Sequence, residues 1–535
     1  MPTYLSPGVY IEEKEAGSRP IEGVGTAVAA FVGVTAKGPY NSPRLVTNWG
    51  QFVSTFGEFV PGVYTPLAVY NFFDNGGGSA YVVRIGQDGS GEHDGSASAV
   101  LESASQSGVV TYRVRAMEEG EAGNDISVEV VPERPSSKAK PAGDDGGPED
   151  TADEGGGGDS FSLIVKRDGR AAERFESLTG RRGKQNVATL VNKQSTLIRV
   201  EEMGSVAAAD RTPVAGEFRL SGVAPAQLPA TLDTDDFVGD AGPRTGLGAL
   251  EAIEGVTMVV MPDLMAAYQR DLIDLDGVKT IQLALISHCE AMGDRMALVD
   301  APPGLDALQV KEWRVEKSGF DSKFAALYWP WVKMYDPGTG QADFVPPSGA
   351  VAGLWSRSDD SRGVHKAPAN EVVRGALDVA LDVTRAEHDL LNPEGINVIR
   401  SMPGRGIRVW GARTLSSDPS WRYLNVRRLF NYLESSILNG TQWVVFEPND
   451  FDLWQRIHRT ITAFLLGVWR SGALFGAAPD QAFYVKCDGE TNPPDVVERG
   501  QVIVEIGVAP VKPAEFVVFR LSQFVGGGQA LEAGM

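Results

Sequence analysis

Residues 256–261, VTMVVM, form an almost continuous apolar run that ends at Pro262. Such a run is typical of a β-strand buried on both faces of a sheet. An amphipathic helix is predicted next, over residues 277–292, and further strands over 296–300 (MALVD) and 324–329 (FAALYW). The alternation of strand and helix predicts a mainly parallel sheet that is covered by helices on both faces.

The same α/β pattern occurs earlier in the chain, where residues 28–34 (VAAFVGV) predict another doubly buried strand. We therefore expect residues 21–90 and 250–400 to build one α/β core. Residues 91–249 between them are rich in Gly, Ser and acidic side chains, and they predict an inserted, β-rich outer surface domain. Within this insertion, residues 143–160 hold seven acidic and no basic side chains, which predicts a disordered, solvated loop.

Residues 401–510 predict a C-terminal α+β domain with two long helices. Asp418-Pro419 is a favourable N-cap and N1 pair for the first helix. The second helix is predicted to open at Asn449, with Asp452 at the capping-box position.

The two ends of the chain, residues 1–20 and 511–535, are predicted to be extended arms. Each contains one strand-like run, GVYIEE at 8–13 and EFVVFRL at 515–521, with Pro or Gly on both sides. A lone strand has too little apolar surface to fold by itself, so each run needs another sheet to join. The arm strands centre on Val9, Tyr10, Ile11 and Glu12, and on Phe516, Val517, Val518 and Phe519.

Composition narrows the class of protein. The 535 residues carry a net charge of -21, which argues against a nucleic-acid-binding surface, because phosphate backbones require clustered Lys and Arg. The two cysteines, Cys289 and Cys487, form no CxxC pair and predict buried thiols in a reducing compartment. We see no signal peptide and no apolar run of membrane-spanning length, so we expect synthesis and assembly in the cytoplasm.

No catalytic, cofactor-binding or metal-binding residues are predicted. The sequence lacks a GxSxG nucleophile elbow and an HExxH metal motif. His365 and the pair Asp359-Asp360 are interpreted as polar loop residues. Asp263 and Asp300 follow predicted core strands, where an α/β enzyme would place polar groups, but each is equally consistent with a loop or helix-cap residue.

Several short motifs together resemble the contractile tail sheath family, across residues 1–86 and 250–525. Any one of them is weak, but their order along the chain makes the resemblance specific. They are YLSPGVYIEE (4–13), TAVAAFVG (26–33), KGP (37–39), VPPSGAVAG (345–353), HKAPAN (365–370), WGARTL (410–415), VRRL (426–429), FEPND (446–450) and GALFG (472–476).

The resemblance implies a structural subunit that stacks in hexameric rings around an inner tube and contracts to drive that tube through a target envelope. It implies that both arms complete the sheets of neighbouring subunits, and that baseplate and terminal cap proteins are further partners. It also implies a C-terminal domain that faces the tube through a charged helix. Arg456 and Arg459 are the first candidates for that contact, with a solvated helix face as the alternative. Arg427 and Arg428 are the second candidates, with intra-subunit ion pairs as their alternative role.

Two other functions compete with this interpretation. Another structural component of the same particle, such as an inner tube protein, is one alternative, but such proteins are far shorter and lack an α/β core. A hydrolase built on a doubly wound sheet is the other, and it would require a nucleophile and a base that the sequence does not supply.

Overall fold

The computed structural model describes residues 20–86, 96–106, 108–119, 121–133, 160–203, 211–221, 228–229 and 231–518. The predicted N-terminal arm strand (8–13), nearly all of the predicted acidic loop (143–160) and Phe519 lie outside these ranges.

Twenty-one strands occur in the described residues. They are β1 (Val28–Gly33), β2 (Arg44–Val46), β3 (Ser79–Arg84), β4 (Ser96–Glu102), β5 (Val110–Glu119), β6 (Ile126–Pro132), β7 (Phe161–Arg167), β8 (Arg170–Leu178), β9 (Ile198–Glu202), β10 (Gly216–Arg219), β11 (Met258–Val260), β12 (Met296–Asp300), β13 (Ala325–Trp329), β14 (Val332–Asp336), β15 (Gln341–Val345), β16 (Glu371–Val372), β17 (Ala376–Val379), β18 (Ile396–Met402), β19 (Gly406–Val409), β20 (Phe483–Lys486) and β21 (Glu505–Val508).

Thirteen α-helices occur in the same residues. They are α1 (Trp49–Phe56), α2 (Thr65–Asp74), α3 (Val187–Gln194), α4 (Thr234–Val238), α5 (Asp263–Gln269), α6 (Leu275–Met292), α7 (Ala307–Glu312), α8 (Ser348–Arg362), α9 (Arg385–Leu391), α10 (Leu424–Gly440), α11 (Phe451–Arg470), α12 (Pro479–Ala482) and α13 (Pro494–Glu498). None of these helices combines the length and the hydropathy needed to cross a lipid bilayer.

The largest sheet has nine strands in the order β16-β19-β18-β13-β12-β11-β1-β3-β2. Its six central strands, from β18 to β3, are parallel, and the outer strands pair antiparallel. The central strands carry the predicted apolar runs and are almost wholly buried. Both outermost strands are only two or three residues long, which limits edge-to-edge pairing with other sheets.

The connections between strands lead outward from the centre of the large sheet on both sides. From β1 it passes through α2 to β3 on one side, and from β11 it passes through α6 to β12 on the other side. Because such crossovers are nearly always right-handed, we expect α2 and α6 to cover opposite faces of the sheet. The mainly parallel sheet is present as predicted.

The segment between the two halves of the large sheet has a hydrophobic cluster of its own. It contains buried side chains from Ala97 to Leu220 and two antiparallel sheets, ordered β4-β5-β9 and β10-β6-β7-β8. Leu228, Phe237 and Leu250 pack instead into the large core. The chain therefore rejoins the large core before residue 249, where the sequence predicted the end of the insertion.

A third hydrophobic cluster contains side chains of α10, α11, β20 and β21 together with Ile21 and Val364. Two helix starts differ from prediction. Asp418 closes a turn by accepting a hydrogen bond from the Ser420 amide, whereas α10 begins at Leu424. Helix α11 is capped by Asp450, whose carboxylate accepts from the Leu453 amide, so the cap lies one residue later than predicted.

Candidate inter-subunit surfaces

The place where an α/β enzyme would bind its substrate is filled in this protein. In open parallel sheets, ligands bind at the carboxyl ends of the strands where the chain direction reverses, which here is between β1 and β11. The carboxylate of Asp263 occupies that position and is fully buried. It accepts hydrogen bonds from the amides of Val34 (2.7 Å), Tyr64 (2.5 Å) and Thr65 (3.1 Å).

Asp263 therefore joins β1 to the start of α2 and leaves no acceptor directed at a ligand. Burial raises the pKa of its carboxyl group, while the three amide donors act in the opposite direction. The alternative interpretation, a helix-cap residue, is the one that fits this geometry.

Asp300 has the same role at the next strand of the sheet. It ends β12, and its two oxygens accept from the amide (3.1 Å) and hydroxyl (2.5 Å) of Ser348, the first residue of α8. Burial raises the pKa of Asp300 to about 7. Among the described residues no group of His, Cys, Asp and Glu could hold a metal ion.

The VPPSGAVAG motif has a packing role. Gly349 and Gly353 lie where α8 crosses α2, and a Cβ atom on Gly353 would stand 2.2 Å from the Phe72 carbonyl oxygen. A Cβ atom on Gly349 would stand 2.6 Å from Ala68. The two helices whose N-termini meet Asp263 and Asp300 thus pack backbone to backbone, which only glycine permits.

Arg428 joins the large core to the C-terminal helices, which corrects its candidacy for the tube contact. Its guanidinium forms a two-bond pair with Asp359 on α8 (2.9 and 2.6 Å) and lies over the ring of Trp355. It also donates to the Thr26 carbonyl oxygen. Both charged side chains are at most 3% exposed, so the charge of Arg428 is neutralised inside the subunit.

Arg427 is likewise buried and internal. It donates to Asn431 and Glu434 on its own helix and lies among the aromatic rings of Phe324, Trp421 and Phe430. The neighbouring arginines therefore serve intra-subunit contacts, the alternative role noted from the sequence, and neither presents a charge to a tube.

Helix α11 holds the other two predicted cations at its surface. Arg456 pairs with Glu447 (2.8 Å) and lies over the Trp443 ring. Arg459 is exposed, and its Nε donates to the Gln455 carbonyl oxygen of the same helix. Of the two, Arg459 is the more exposed, and it forms no ion pair with any carboxylate in the part of the chain that the structure describes.

The C-terminal chain is fixed to the protein and then leaves it. Glu515 forms a two-bond ion pair with Arg413 (2.9 and 2.5 Å), and the Val511 carbonyl accepts from Asn425. The next three residues, Phe516, Val517 and Val518, have 74, 69 and 78% of their surface exposed. No strand is formed over 515–518 within this subunit.

A small sheet with unpaired edges lies close to this segment. β20 and β21 pair only with each other in the described residues, so each has one edge without a neighbouring strand. Alternate residues of β21 and of the segment just before it line an apolar groove of about 630 Å³ against α10 and α11: Val502, Val504, Ile506 and Val508.

Neither the Arg413–Glu515 pair nor the apolar groove was predicted from the sequence. Arg413 stands in the WGARTL motif and Glu515 begins the predicted arm strand, yet 102 residues separate them. Arg413 and Glu515 become neighbours only in the folded protein. The two-residue spacing of apolar side chains from 502 to 508 was the one available signal for the groove.

Comparison with known proteins agrees with the motifs. Residues 242–415 match the family model for the phage tail sheath protein central domain, and residues 416–524 match the model for the phage tail sheath C-terminal domain. Together the two models cover more than half of the chain.

Individual relatives are distant in sequence. The tail sheath protein of Burkholderia phage BcepMu is 23% identical, with 96% of this chain and 95% of the relative covered. That of Vibrio phage KVP40 is 26% identical, over 42% of this chain but only 35% of its own length. The contracted sheath complex of an extracellular contractile injection system, PVC, has the same fold: TM-score 0.57, 22% identity, and 98% and 99% coverage of the two chains. This chain belongs to the phage tail sheath family.

Proposed function

We propose that the chain is the repeating subunit of a contractile sheath, which polymerises as stacked hexameric rings around an inner tube and contracts to drive the tube through a target envelope. The observation that carries this proposal is the C-terminal segment, which is anchored at Glu515 and then exposes three consecutive apolar residues. Exposed apolar side chains on an extended chain are expected to be buried by a partner.

The partner in this proposal is a neighbouring subunit. The arm strand at 516–519 would pair with the unpaired edge of another copy's two-stranded sheet and cover its apolar groove. The N-terminal arm strand at 9–12 would join the same kind of sheet, since a two-stranded sheet alone is marginally stable. Each added main-chain hydrogen bond contributes only about 1 kcal/mol, but the contacts repeat in every subunit.

The mechanical step would then be a rearrangement of subunits whose own cores stay rigid. Arg428 and Asp359 fix the C-terminal helices to the large core, and Arg413 fixes the root of the C-terminal arm. The chain segments beyond these two anchors would change direction during contraction, while the strand pairing between subunits persists. Contraction would release free energy stored in inter-subunit contacts.

The inner tube, the baseplate and a terminal cap are the further partners in this proposal. The exposed face of α11 would meet the tube, with Arg459 as the main cation and Arg456 shared with Glu447. Assembly would take place in the cytoplasm before the particle is released.

Deletion of residues 1–20 tests the proposal. We expect the truncated chain to fold, with the helical content and melting temperature of the full chain, and to stay monomeric in sedimentation. The full chain, under the same conditions, should form long tubes visible by electron microscopy. Long tubes formed by the truncated chain would contradict the role of the arm.

A further inference from the structure

A basic groove of about 860 Å³ lies beside the root of the C-terminal arm. Residues 511–516 form one wall, and residues from the end of α8, from α9 and from β18 contribute to the other. The contacts proposed above, at α11 and at the two-stranded sheet, do not use the cations of this groove.

Four cations of the groove form no ion pair and donate no hydrogen bond within the described residues. They are Arg362, Arg385, Arg400 and Lys512. Two carboxylates line the groove, and one of them, Glu515, is already paired with Arg413. The other, Asp389, is exposed. The groove therefore has an excess of positive charge, in a chain whose net charge is -21.

Two polar atoms of residues that line this groove are buried without a hydrogen-bond partner. They are Nε2 of His388 and Nε of Arg400. Buried polar atoms in folded proteins are nearly always hydrogen-bonded to protein, to water or to a ligand. Burial and then the nearby Arg400 lower the pKa of His388, so its ring is neutral at pH 7 and its Nε2 atom can carry the proton. Both atoms can then donate a hydrogen bond to an anion that enters the groove.

We propose that this groove binds a chain of linked phosphate groups, such as inorganic tripolyphosphate or the phosphates of a nucleotide. Guanidinium groups match phosphate oxygens with two parallel hydrogen bonds, and three of the four cations are arginines. The cations come from separate segments on both walls, and a linked chain of phosphates can contact both walls at once.

A ligand at this position would add a second anchor to the C-terminal arm. Lys512 belongs to the arm root and Arg385 begins α9, so a phosphate chain bound to both would hold the root against the large core. The Arg413–Glu515 pair already fixes the same segment. The binding site goes beyond the proposed sheath function and does not depend on it.

Equilibrium dialysis of the full chain against tripolyphosphate, and separately against ATP, tests the proposal at constant ionic strength. We expect saturable binding of one ligand per chain. Arg385→Gln combined with Lys512→Gln removes one exposed cation from each wall and should weaken binding by about tenfold or more. Tighter binding of ATP would identify a nucleotide as the ligand, and equal or weaker binding would identify the phosphate chain alone.

Arg170→Gln combined with Lys193→Gln is the matched control, because these cations are exposed on β8 and α3 and the change in net charge is the same. This pair should leave the affinity unchanged. Absence of saturable binding with both probes, or an affinity that the control pair lowers as much as the groove pair, would overturn the proposal. Tube formation tests the sheath function separately, so normal tubes without phosphate binding would remove only this site.

Amide hydrogen exchange gives a readout that does not depend on the variants. Tripolyphosphate should slow exchange over residues 511–516 by about tenfold or more, because the ligand joins the arm root to the opposite wall. Exchange in α11 should stay unchanged. An exchange rate at 511–516 that tripolyphosphate does not alter would contradict the contact between the ligand and the arm root.

Discussion

At the scale of single residues, the positions that look chemical in the sequence hold the subunit together. Asp263 and Asp300 stand at strand ends where enzymes place polar groups, yet both accept hydrogen bonds from helix starts. Arg427 and Arg428 look like a surface cation pair, yet both are buried. The sequence shows the residue type and spacing, but only the packing of α8 on α10 shows that Arg428 meets Asp359.

The buried Arg428–Asp359 pair gives the first prediction. Arg428→Met leaves a buried carboxylate unpaired and should lower the free energy of unfolding by about 3–5 kcal/mol. Urea denaturation of the monomeric chain lacking residues 1–20 measures this loss. Adding Asp359→Leu should recover much of the stability; a double variant as unstable as the single one would show that the charge pairing is not the cause.

Asp300 gives a prediction on pH. The folded chain holds the Asp300 proton up to about pH 7, whereas the unfolded chain loses it near pH 4. This group therefore makes stability fall as pH rises from about 4 to about 7, by at most about 4 kcal/mol.

Asp300→Asn should remove that slope. Urea unfolding at pH 4.5, 5.5, 6.5 and 7.5 compares the variant with the parent, with the exposed Asp480→Asn as control. Equal slopes in Asp300→Asn and in the parent would show that Asp300 is ionised throughout this range.

At the scale of elements, apolar runs predict the core strands well and the ends of helices less well. The runs at 28–34 and 256–261 both became central strands, because burial on both faces leaves no other pattern. The start of a helix depends on a single capping side chain. Asp418 caps a turn and not α10, and α11 is capped by Asp450 and not by the predicted Asn449. Such choices are decided by tertiary contacts that local sequence does not contain.

The contact between α2 and α8 gives the next prediction. Gly353→Ala should destabilise the chain by about 1–3 kcal/mol, because the new methyl group meets the Phe72 carbonyl. Gly467→Ala on α11 is the control. Its Cβ would meet nothing within 4 Å, so helix propensity should stabilise the chain by about 0.5–1 kcal/mol. Thermal unfolding of both variants checks the opposite signs.

The anchor of the C-terminal arm gives a further prediction. Glu515→Gln weakens a charge-assisted pair with Arg413 that contributes about 1.5–3 kcal/mol. Amide hydrogen exchange over residues 511–515 should become at least tenfold faster, while exchange in α11 is unchanged. The exposed Glu498→Gln is the control, and an unchanged rate at 511–515 would mean that other contacts hold the arm root.

At the scale of the whole molecule, the described part of the subunit leaves three apolar residues, 516–518, exposed and the outer edges of its two-stranded sheet unpaired. Its large core was predictable, because strand and helix alternate in sequence. Its proposed contact surfaces were harder to predict, because segments far apart in the chain build them: the apolar groove takes residues from 430 to 508.

The proposed tube contact is also a property of the assembly. Arg459→Glu should leave sheath polymerisation intact and weaken its attachment to the inner tube, because the exposed charge of α11 is reversed. Co-sedimentation of sheath and tube proteins measures this effect, with Arg470→Glu at the far end of α11 as control. Normal co-sedimentation of the Arg459 variant would remove α11 from the contact.

The most direct test of the central claim is a helical reconstruction of tubes assembled from the full chain, by electron cryo-microscopy. We predict stacked hexameric rings in which residues 516–519 of one subunit form a strand beside β20 or β21 of another. Tubes in which these residues pack on their own subunit, or rings joined without any strand pairing, would contradict it.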